Sequence, residues 1–306
     1  MKKKLFIPLF FTVLILAAWT RFHVPLTHEF SEDTSKDKLL MELIAYFMQR
    51  GHFDPKDISD DFSEDLHETF LEMLDGQKRY FLKKDIAQFD RYKYALDDEF
   101  RALQTSFFDL VYTRYLERRN ETKSFYLEIL AKPFDFNKKE EINVDYENQQ
   151  YPSTLRSKVE KWRKQLKLST LNILHSKLEE EEKLAAKDES YVPKTFEVLE
   201  KEAREITKEN MENYFSLMED VREEDWFGSY LNAFVTQFDP HSVYFAPVDK
   251  DRFDASMSGK YEGIGARLTK RNQAIKIVDV ISGGPIWRDQ SIEVGDQIMM
   301  VRQEEG

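Results

Sequence analysis

The residues best suited to chemistry in this sequence lie in one short segment, FDPHSVYFAPVD, from Phe238 to Asp249. The segment places His241 beside Ser242, and two aspartates, Asp239 and Asp249, flank the pair. Serine, histidine and aspartate together perform nucleophilic hydrolysis, and histidine with aspartate also binds divalent metals. The segment is therefore a hydrolase site, a metal site or a corner that the backbone needs.

The spacing favours the corner. A nucleophile and its base must meet with aligned side chains, and that geometry normally comes from separate segments of a chain. Asp239 and Pro240 are typical of a helix end followed by a turn. A second segment, LDGQKRYFLKKD from Leu74 to Asp85, repeats the Asp and Tyr-Phe outline without histidine or serine. A metal site at Asp239 and His241 is kept only as a weaker alternative, because two ligands are too few for zinc.

Other chemical motifs are weaker still. Ser35 and Lys38 form a Ser-x-x-Lys pattern, but no companion motif of that hydrolase class follows, and Ser35 suits a helix N-cap. His23 and His28 do not share a helical face and are predicted to be solvated. The run GIGARL has Leu268 where a dinucleotide fingerprint requires its third glycine. We therefore predict no catalytic residue, no metal ligand and no cofactor among these residues.

The run YEGIGARL, from Tyr261 to Leu268, has a positive interpretation. The glycines on either side of Ile264 let a backbone approach a ligand closely and turn successive N–H groups outward. Such a nest suits the terminal carboxylate of a peptide, and the strand from Ala266 to Leu268 offers an edge to an extended chain. A plain glycine-rich hairpin is the alternative.

Composition limits the classes of partner. The chain has 306 residues, of which 33% are charged, and a formal net charge of -12, which indicates much solvated helical surface. This acidity argues against nucleic acid as a partner. The absence of cysteine excludes disulfides and thiolate chemistry, and it fits a cell-envelope protein.

The N-terminus has the layout of an export signal. Lys2, Lys3 and Lys4 precede an apolar run from Leu5 to Trp19 that is short for a membrane span. No clear small-x-small cleavage site follows, so an uncleaved anchor is the alternative. We assign residues 1–24 to a signal peptide or an N-terminal membrane anchor.

The elements that position these segments are predicted to be mostly helical. Apolar residues recur at helical spacing from Lys38 to Phe238. The strongest stripe is Trp226, Phe227, Tyr230, Leu231, Phe234, Val235 and Phe238; earlier stripes are Leu39, Leu40, Leu43, Ile44 and Phe47, and Phe107, Phe108, Val111, Tyr112, Tyr115 and Leu116. Further helices are predicted at Leu66–Asp75, Leu155–Leu184 and Phe196–Met218, with an irregular link from Lys132 to Pro152.

The amino-acid composition and the hydrophobic pattern of the chain change after about Ser258. Glycines cluster there, and the short β-rich runs IGARL, AIKIVDVI and QIMMV appear. The acidic run LEEEEKLAAKDE, before this change, is predicted to be a solvated helix end or hinge. We assign residues 25–250 to a helical domain and residues 255–306 to an incomplete β-rich domain whose core is short of partners.

Three stretches together resemble one family, the carboxy-terminal processing or tail-specific proteases. GIGARL, continued by IKIVDVISGGPIWRDQSIEVGDQI, is similar to the first half of that family's PDZ domain. LNAFVTQFDPHSVYFAP resembles the segment before it, which in the family is scaffold, and FLEMLDGQKRYFLKKDIAQF resembles the N-terminal helical domain of the long envelope members. The implied fold is multi-domain: a mostly α-helical N-terminal domain followed by an incomplete β-rich PDZ domain.

The resemblance implies a serine endopeptidase with a Ser-Lys dyad, which processes C-terminal tails of envelope proteins in the periplasm or cell envelope of a Gram-negative bacterium, with an adaptor lipoprotein as a candidate partner. The family's carboxylate-binding loop matches Gly263, Ile264, Gly265 and Ala266. Its catalytic core follows the PDZ domain and is expected beyond Gly306, so no catalytic serine or lysine is assigned and this chain alone is expected to be inactive. The alternative is a non-enzymatic PDZ-containing adaptor or scaffold.

Overall fold

The structure, a computed structural model, describes residues 36–259, 262–271 and 274–302, and the first of these ranges is mostly helical. The mostly α-helical N-terminal part of the predicted fold is therefore confirmed. The helices are α1 (Lys36–Arg50), α2 (Asp60–Asp75), α3 (Lys83–Phe89), α4 (Leu96–Ala102), α5 (Ser106–Leu130), α6 (Leu155–Lys187), α7 (Phe196–Asp220), α8 (Glu223–Thr236) and α9 (Pro247–Ser258), with a 3-10 turn at Asp90–Tyr92.

The centre of the helical part is an aromatic core around α8. The predicted stripe on α8 is confirmed, since every member is buried except Trp226, which is partly buried against the same core. Phe234 stacks on Phe100 of α4 with ring centroids 4.0 Å apart, and Tyr230 meets Phe70 of α2 edge-on at 4.9 Å. Such ring pairs add to the free energy gained by burying their apolar area.

The stripe predicted on α1 is partly wrong. Phe47 is 61% exposed, whereas Met41, outside the predicted stripe, is fully buried. Leu40, Ile44, Ala45 and Met48 pack beside Met41 against the core. The buried face is therefore centred about one residue later than the pattern of Leu39, Leu43 and Phe47 suggests.

The helices α6 and α7 pair along their length and carry a second, smaller core made by Leu174, Leu199 and Ala203. The link before α6 is irregular, as predicted. The acidic run does end a helix, but Glu181 within it is buried and is not solvated. Its carboxylate accepts hydrogen bonds from the Tyr191 hydroxyl at 2.8 Å and from the Lys194 backbone N–H at 2.9 Å. Glu181 therefore stabilises the connection between α6 and α7.

The helix α9 was not expected from the sequence. None of its side chains is buried, so it lacks the one-sided apolar stripe on which the helical prediction depended. Its boundaries do have sequence signals. Pro247 stands at the first helical position, and Gly259 follows the last residue with φ +64°, a left-handed conformation that glycine adopts without strain.

A small antiparallel sheet follows, with strands β1 (Ala266–Arg271), β2 (Ala274–Val280) and β3 (Gln297–Ile298) in the order β1-β2-β3. Ala266 pairs with Val280 and Ile275 pairs with Ile298, and a bulge lies between Arg267 and Leu268. A short helix, α10 (Pro285–Asp289), connects β2 to β3. The three predicted β-rich runs are thus strands, although the last is shorter than expected.

The sheet buries little apolar surface. Among the described residues from 262 onward, Ile277 and Ile286 are the buried apolar side chains, whereas Val278, Ile281 and Trp287 are about half exposed. The expectation of a β-rich part with a small core is therefore met by the described residues.

Several predictions fall outside the described residues. These are the signal peptide or anchor at residues 1–24, His23 and His28, and the Ser35 cap. Within the part of the chain that the structure describes, no helix has both the length and the apolar composition of a membrane span.

Candidate functional site

The segment from Phe238 to Asp249 forms a turn between α8 and α9. The Asp239 carboxylate accepts the His241 backbone N–H at 3.1 Å and the Ser242 hydroxyl at 3.3 Å. The backbone N–H bond from His241 holds the pKa of Asp239 below its ordinary value, and the hydrogen bond from Ser242 acts in the same direction. The aspartate therefore stabilises the turn, while the His241 side chain points into solvent as an exposed residue.

The structure brings a different histidine to Ser242. Nε2 of His52, from the loop after α1, lies 3.5 Å from the Ser242 Oγ, and His52 Nδ1 contacts the backbone of Asp54. A nucleophilic serine must donate its hydroxyl proton to the base. Here the Ser242 hydroxyl also reaches the Asp239 carboxylate at 3.3 Å, which is closer than the 3.5 Å between its Oγ and His52 Nε2. The contact joins two loops and does not form an activated nucleophile.

A residue that was not predicted from the sequence, Asn232, holds this corner from the helix side. Asn232 on α8 accepts the Tyr244 backbone N–H at 2.7 Å through Oδ1 and donates to the Tyr244 carbonyl at 3.1 Å through Nδ2. A side chain that satisfies both backbone groups of one residue fixes the direction in which the chain leaves the corner. An asparagine in the middle of an apolar stripe was the available signal.

The echo segment, Leu74 to Asp85, is also a corner built on aspartate. The buried Asp75 carboxylate accepts the backbone N–H groups of Arg79, Tyr80 and Phe81, at 2.8, 2.9 and 2.9 Å. Burial raises the pKa of Asp75 to about 6, although these three bonds act to lower it. The two similar segments therefore share a structural role, in which an aspartate collects the N–H groups of the turn that follows it.

The second aspartate of the echo segment is the centre of a buried ion-pair network. Asp85 is fully buried and receives Arg118 in a bidentate pair, with Nε–Oδ2 2.7 Å and Nη2–Oδ1 2.9 Å. It also accepts the Leu82 backbone N–H at 2.9 Å and a hydrogen bond from Arg114. Burial acts to raise the pKa of Asp85, but these bonds outweigh it and hold the pKa below its ordinary value.

One buried lysine has a property expected of a general base, because burial lowers the pKa of Lys158. Its contacts give it another role. Lys158 Nζ donates to the Arg118 carbonyl at 2.9 Å and to the Glu121 carboxylate at 3.0 Å, and Glu121 also accepts from Arg118. Lys158 is therefore an ammonium paired with a carboxylate, and it extends the Asp85 network. It is not a free amine that could accept a proton from a serine.

The alternative of a metal site at Asp239 and His241 gains no support. The Asp239 oxygens are occupied by the turn, as described above. Across residues 36–259, 262–271 and 274–302, no group of three or more histidine and acidic side chains is arranged to hold a metal ion.

The predicted carboxylate-binding residues form one continuous loop that leads into β1. The Ile264 and Gly265 carbonyls accept the Ile286 and Ile281 backbone N–H groups at 3.1 and 2.9 Å. No backbone carbonyl in the described part of the chain accepts the N–H groups of Gly263, Ile264 or Gly265. Ala266 then begins β1, which has a neighbouring strand on one side only among the described strands.

The loop depends on a glycine at one position. Gly265 has φ +76°, and a Cβ there would lie 3.0 Å from both Gly284 Cα and Pro285 Cδ. Both the backbone conformation and the close approach of the Gly-Gly-Pro turn therefore require glycine. Gly263 differs, since a Cβ at that position would meet nothing within 4 Å.

Comparisons with known proteins agree with the sequence resemblance. Residues 44–248 match the family described as "Tail specific protease N-terminal domain". Over 260 residues the chain is 26% identical to the tail-specific protease of Haemophilus influenzae, an alignment that covers 85% of this chain and 34% of that relative. The chain thus spans about a third of the length of the curated relative that it matches.

Proposed function

This chain belongs to the tail-specific protease family through its N-terminal domain, and from that premise we propose that it recognises substrate tails for an exported serine endopeptidase. In this proposal the helical part is a platform and the three-stranded sheet is the beginning of a PDZ domain. The substrates are the C-terminal tails of envelope proteins. Cleavage itself belongs to a Ser-Lys dyad of the full protein, to which none of the residues described above is assigned.

The observation that carries the proposal is the loop at residues 263–266. Two of its carbonyls, those of Ile264 and Gly265, accept N–H groups from α10 and from Ile281 just after β2, while three successive N–H groups have no backbone acceptor in the described part of the chain. Successive free N–H groups form a nest that binds a carboxylate, and the adjoining edge of β1 can pair with an extended peptide. Ile264 is 46% exposed and offers apolar contact to the last side chain of such a peptide.

Chemical-shift mapping tests this proposal. Titration with a short peptide that ends in apolar residues and a free carboxylate should shift the amide signals of Gly263, Ile264, Gly265 and Ala266. The same peptide with an amidated C-terminus should bind at least about tenfold more weakly, because the charge-assisted hydrogen bonds are lost. Equal shifts from both peptides, or shifts confined to other residues, would remove the loop from the proposal.

Substitution of the two loop glycines provides a matched pair. Gly265→Ala should abolish the carboxylate-dependent shifts, because its Cβ must displace Gly284 or Pro285 and strain a positive φ. Gly263→Ala should leave the shifts in place, since its Cβ has open space. The measurement is the difference in affinity between the acid and amide peptides for each variant. A larger loss in Gly263→Ala than in Gly265→Ala contradicts the assigned geometry.

A further inference from the structure

A cavity unrelated to the loop at residues 263–266 lies between α6 and the irregular link that precedes it. It has a volume of about 260 Å³, just below the range of about 300–1,000 Å³ that is common for small-molecule sites. Part of its wall is apolar and consists of Phe136, Ile142, Leu168 and Leu171. The cavity therefore suits a small ligand that has an apolar part.

The apolar wall is held in place by the second core. Phe136, from the link, packs against that core, and its ring centroid lies 6.3 Å from that of Phe196 on α7. Leu168 and Leu171 are three residues apart on α6 and therefore lie on one face of the helix. Leu171 is 42% exposed. A ligand that covers this surface gains the free energy of removing apolar area from water.

Lysines of α6 hold the link beside the cavity. Lys164 Nζ donates to the Glu141 carbonyl at 2.9 Å, and Lys167 Nζ donates to the Asp135 carbonyl at 2.6 Å. A carbonyl group has no net charge. The hydrogen bond of Lys164 therefore positions its ammonium group at the cavity without neutralising it.

The rim of the cavity has more positive than negative charge. Its lining contains four lysines and two acids: Lys138, Lys139, Lys164, Lys167, Glu140 and Glu141. Glu140 pairs with Lys167 at 2.7 Å, with Lys138 at 3.2 Å and with Arg163, so one carboxylate is shared among three cations. Among the described residues, neither Lys139 nor Lys164 has an ion-pair partner. In a chain whose net charge is -12, this local excess of cations favours an anionic ligand.

We propose that this cavity binds a short alkyl carboxylate. The alkyl chain lies against the apolar wall, and the carboxylate is paired with the ammonium groups of Lys139 and Lys164. An alkyl chain needs no hydrogen-bond partner. A peptide would have to satisfy its backbone N–H groups, and three carbonyls of the link already accept lysine ammonium groups; they belong to Asp135, Lys138 and Glu141.

Titration of the 306-residue protein with octanoate tests the site. The methyl NMR signals of Ile142, Leu168 and Leu171 should shift saturably. 1-Octanol, which has the same alkyl chain and no charge, should bind at least about tenfold more weakly, and octylammonium should not bind. Absence of saturable shifts up to about 10 mM octanoate, or equal binding of octanoate and 1-octanol, would overturn the proposal.

Two further outcomes would also overturn it. Shifts confined to the amides of residues 263–266 would place the carboxylate in the loop of the proposed function and leave this cavity empty. Tighter binding of an apolar tripeptide with a free C-terminus, shifting the same methyl signals, would make the occupant a polypeptide.

Lysine variants locate the carboxylate. Lys139→Gln and Lys164→Gln should each weaken octanoate by about three- to tenfold, the loss of one charged contact, and should leave the affinity for 1-octanol unchanged. Lys187→Gln, at the exposed end of α6, should leave the octanoate affinity unchanged. An equal loss in Lys187→Gln, or no loss in either of the other two variants, contradicts the assigned charge contacts.

A second matched pair locates the alkyl chain. Leu171→Asp should weaken octanoate and 1-octanol alike, because it places a charge in the apolar wall. Leu184→Asp introduces the same charge on the same helix outside the cavity and should weaken neither. Leu171 and Leu184 are 42% and 39% exposed, so both variants are expected to fold. Equal losses in the two variants would show that the alkyl chain does not occupy this cavity.

Discussion

Replacing Asp85 by alanine should lower the free energy of unfolding by about 3–5 kcal/mol, because it leaves the buried Arg118 guanidinium without its bidentate partner. Arg118 is 8% exposed, so water cannot fully replace the lost carboxylate. The Leu82 N–H loses its acceptor in the same variant. Urea denaturation followed by circular dichroism measures the change.

Two variants control this prediction. Asp98→Ala removes a carboxylate that is 77% exposed and paired with Arg101 at the surface, and it should change the free energy of unfolding by less than about 1 kcal/mol. Adding Arg118→Met to Asp85→Ala should recover part of the loss, because the buried guanidinium that lost its Asp85 partner is then removed as well. A loss no greater in Asp85→Ala than in Asp98→Ala would show that the network does not stabilise the fold.

The same aspartate gives a signed pH dependence. Its pKa is lowered in the folded state from the ordinary value of 3.8, so the folded protein binds this proton less readily than the unfolded chain does. Its contribution to stability is therefore complete above the unfolded pKa and is lost as the pH falls through the folded pKa. Asp85→Asn should show a shallower decline of stability in this acid range than the unsubstituted protein.

Replacing Phe234 by alanine should cost about 3–5 kcal/mol of unfolding free energy, the range for removing a large aromatic side chain from a packed core. Phe234 is fully buried and contacts Phe62 at 5.1 Å, Phe100 at 4.0 Å and Phe238 at 5.4 Å between ring centroids. These neighbours come from three different segments, so the cavity cannot be closed by a shift of one helix. Thermal or urea unfolding measures the loss.

An exposed phenylalanine offers the matched control. Phe53 lies fully in solvent, and Phe53→Ala should change the free energy of unfolding by less than about 0.5 kcal/mol. Leucine at position 234 should recover part of the loss, because it refills some of the cavity. Similar losses for Phe53→Ala and Phe234→Ala would mean that α8 does not form the centre of the core.

The two parts of the molecule meet at a defined contact. Lys270 on β1 pairs with Asp220 at the end of α7. The strand that we propose as the docking edge is thus linked by an ion pair to the helical platform. Because the pair is solvent-accessible, it contributes little to stability, but it connects the elements on which the proposed function depends.

The sequence by itself determined the buried stripe of α8, the positions of the three β-rich runs and the family resemblance, because each depends on residues close together in the chain. The stripe that ends at Phe238 has helical periodicity, and periodicity identifies the buried face of a helix without knowledge of its neighbours. The glycines of the loop at 263–266 were also predictable, because their conformational freedom is a local property.

Only the tertiary structure decided which polar side chains meet. Ser242 contacts His52, which is 190 positions earlier, and Asp85 pairs with Arg118, 33 positions later. His67 on α2 likewise lies near Asp90 in the turn after α3, with 4.0 Å between Nε2 and Oδ1. Such contacts depend on how whole elements pack, because a side chain's chemistry does not specify its distant partner. A local sequence pattern therefore contains no signal for them.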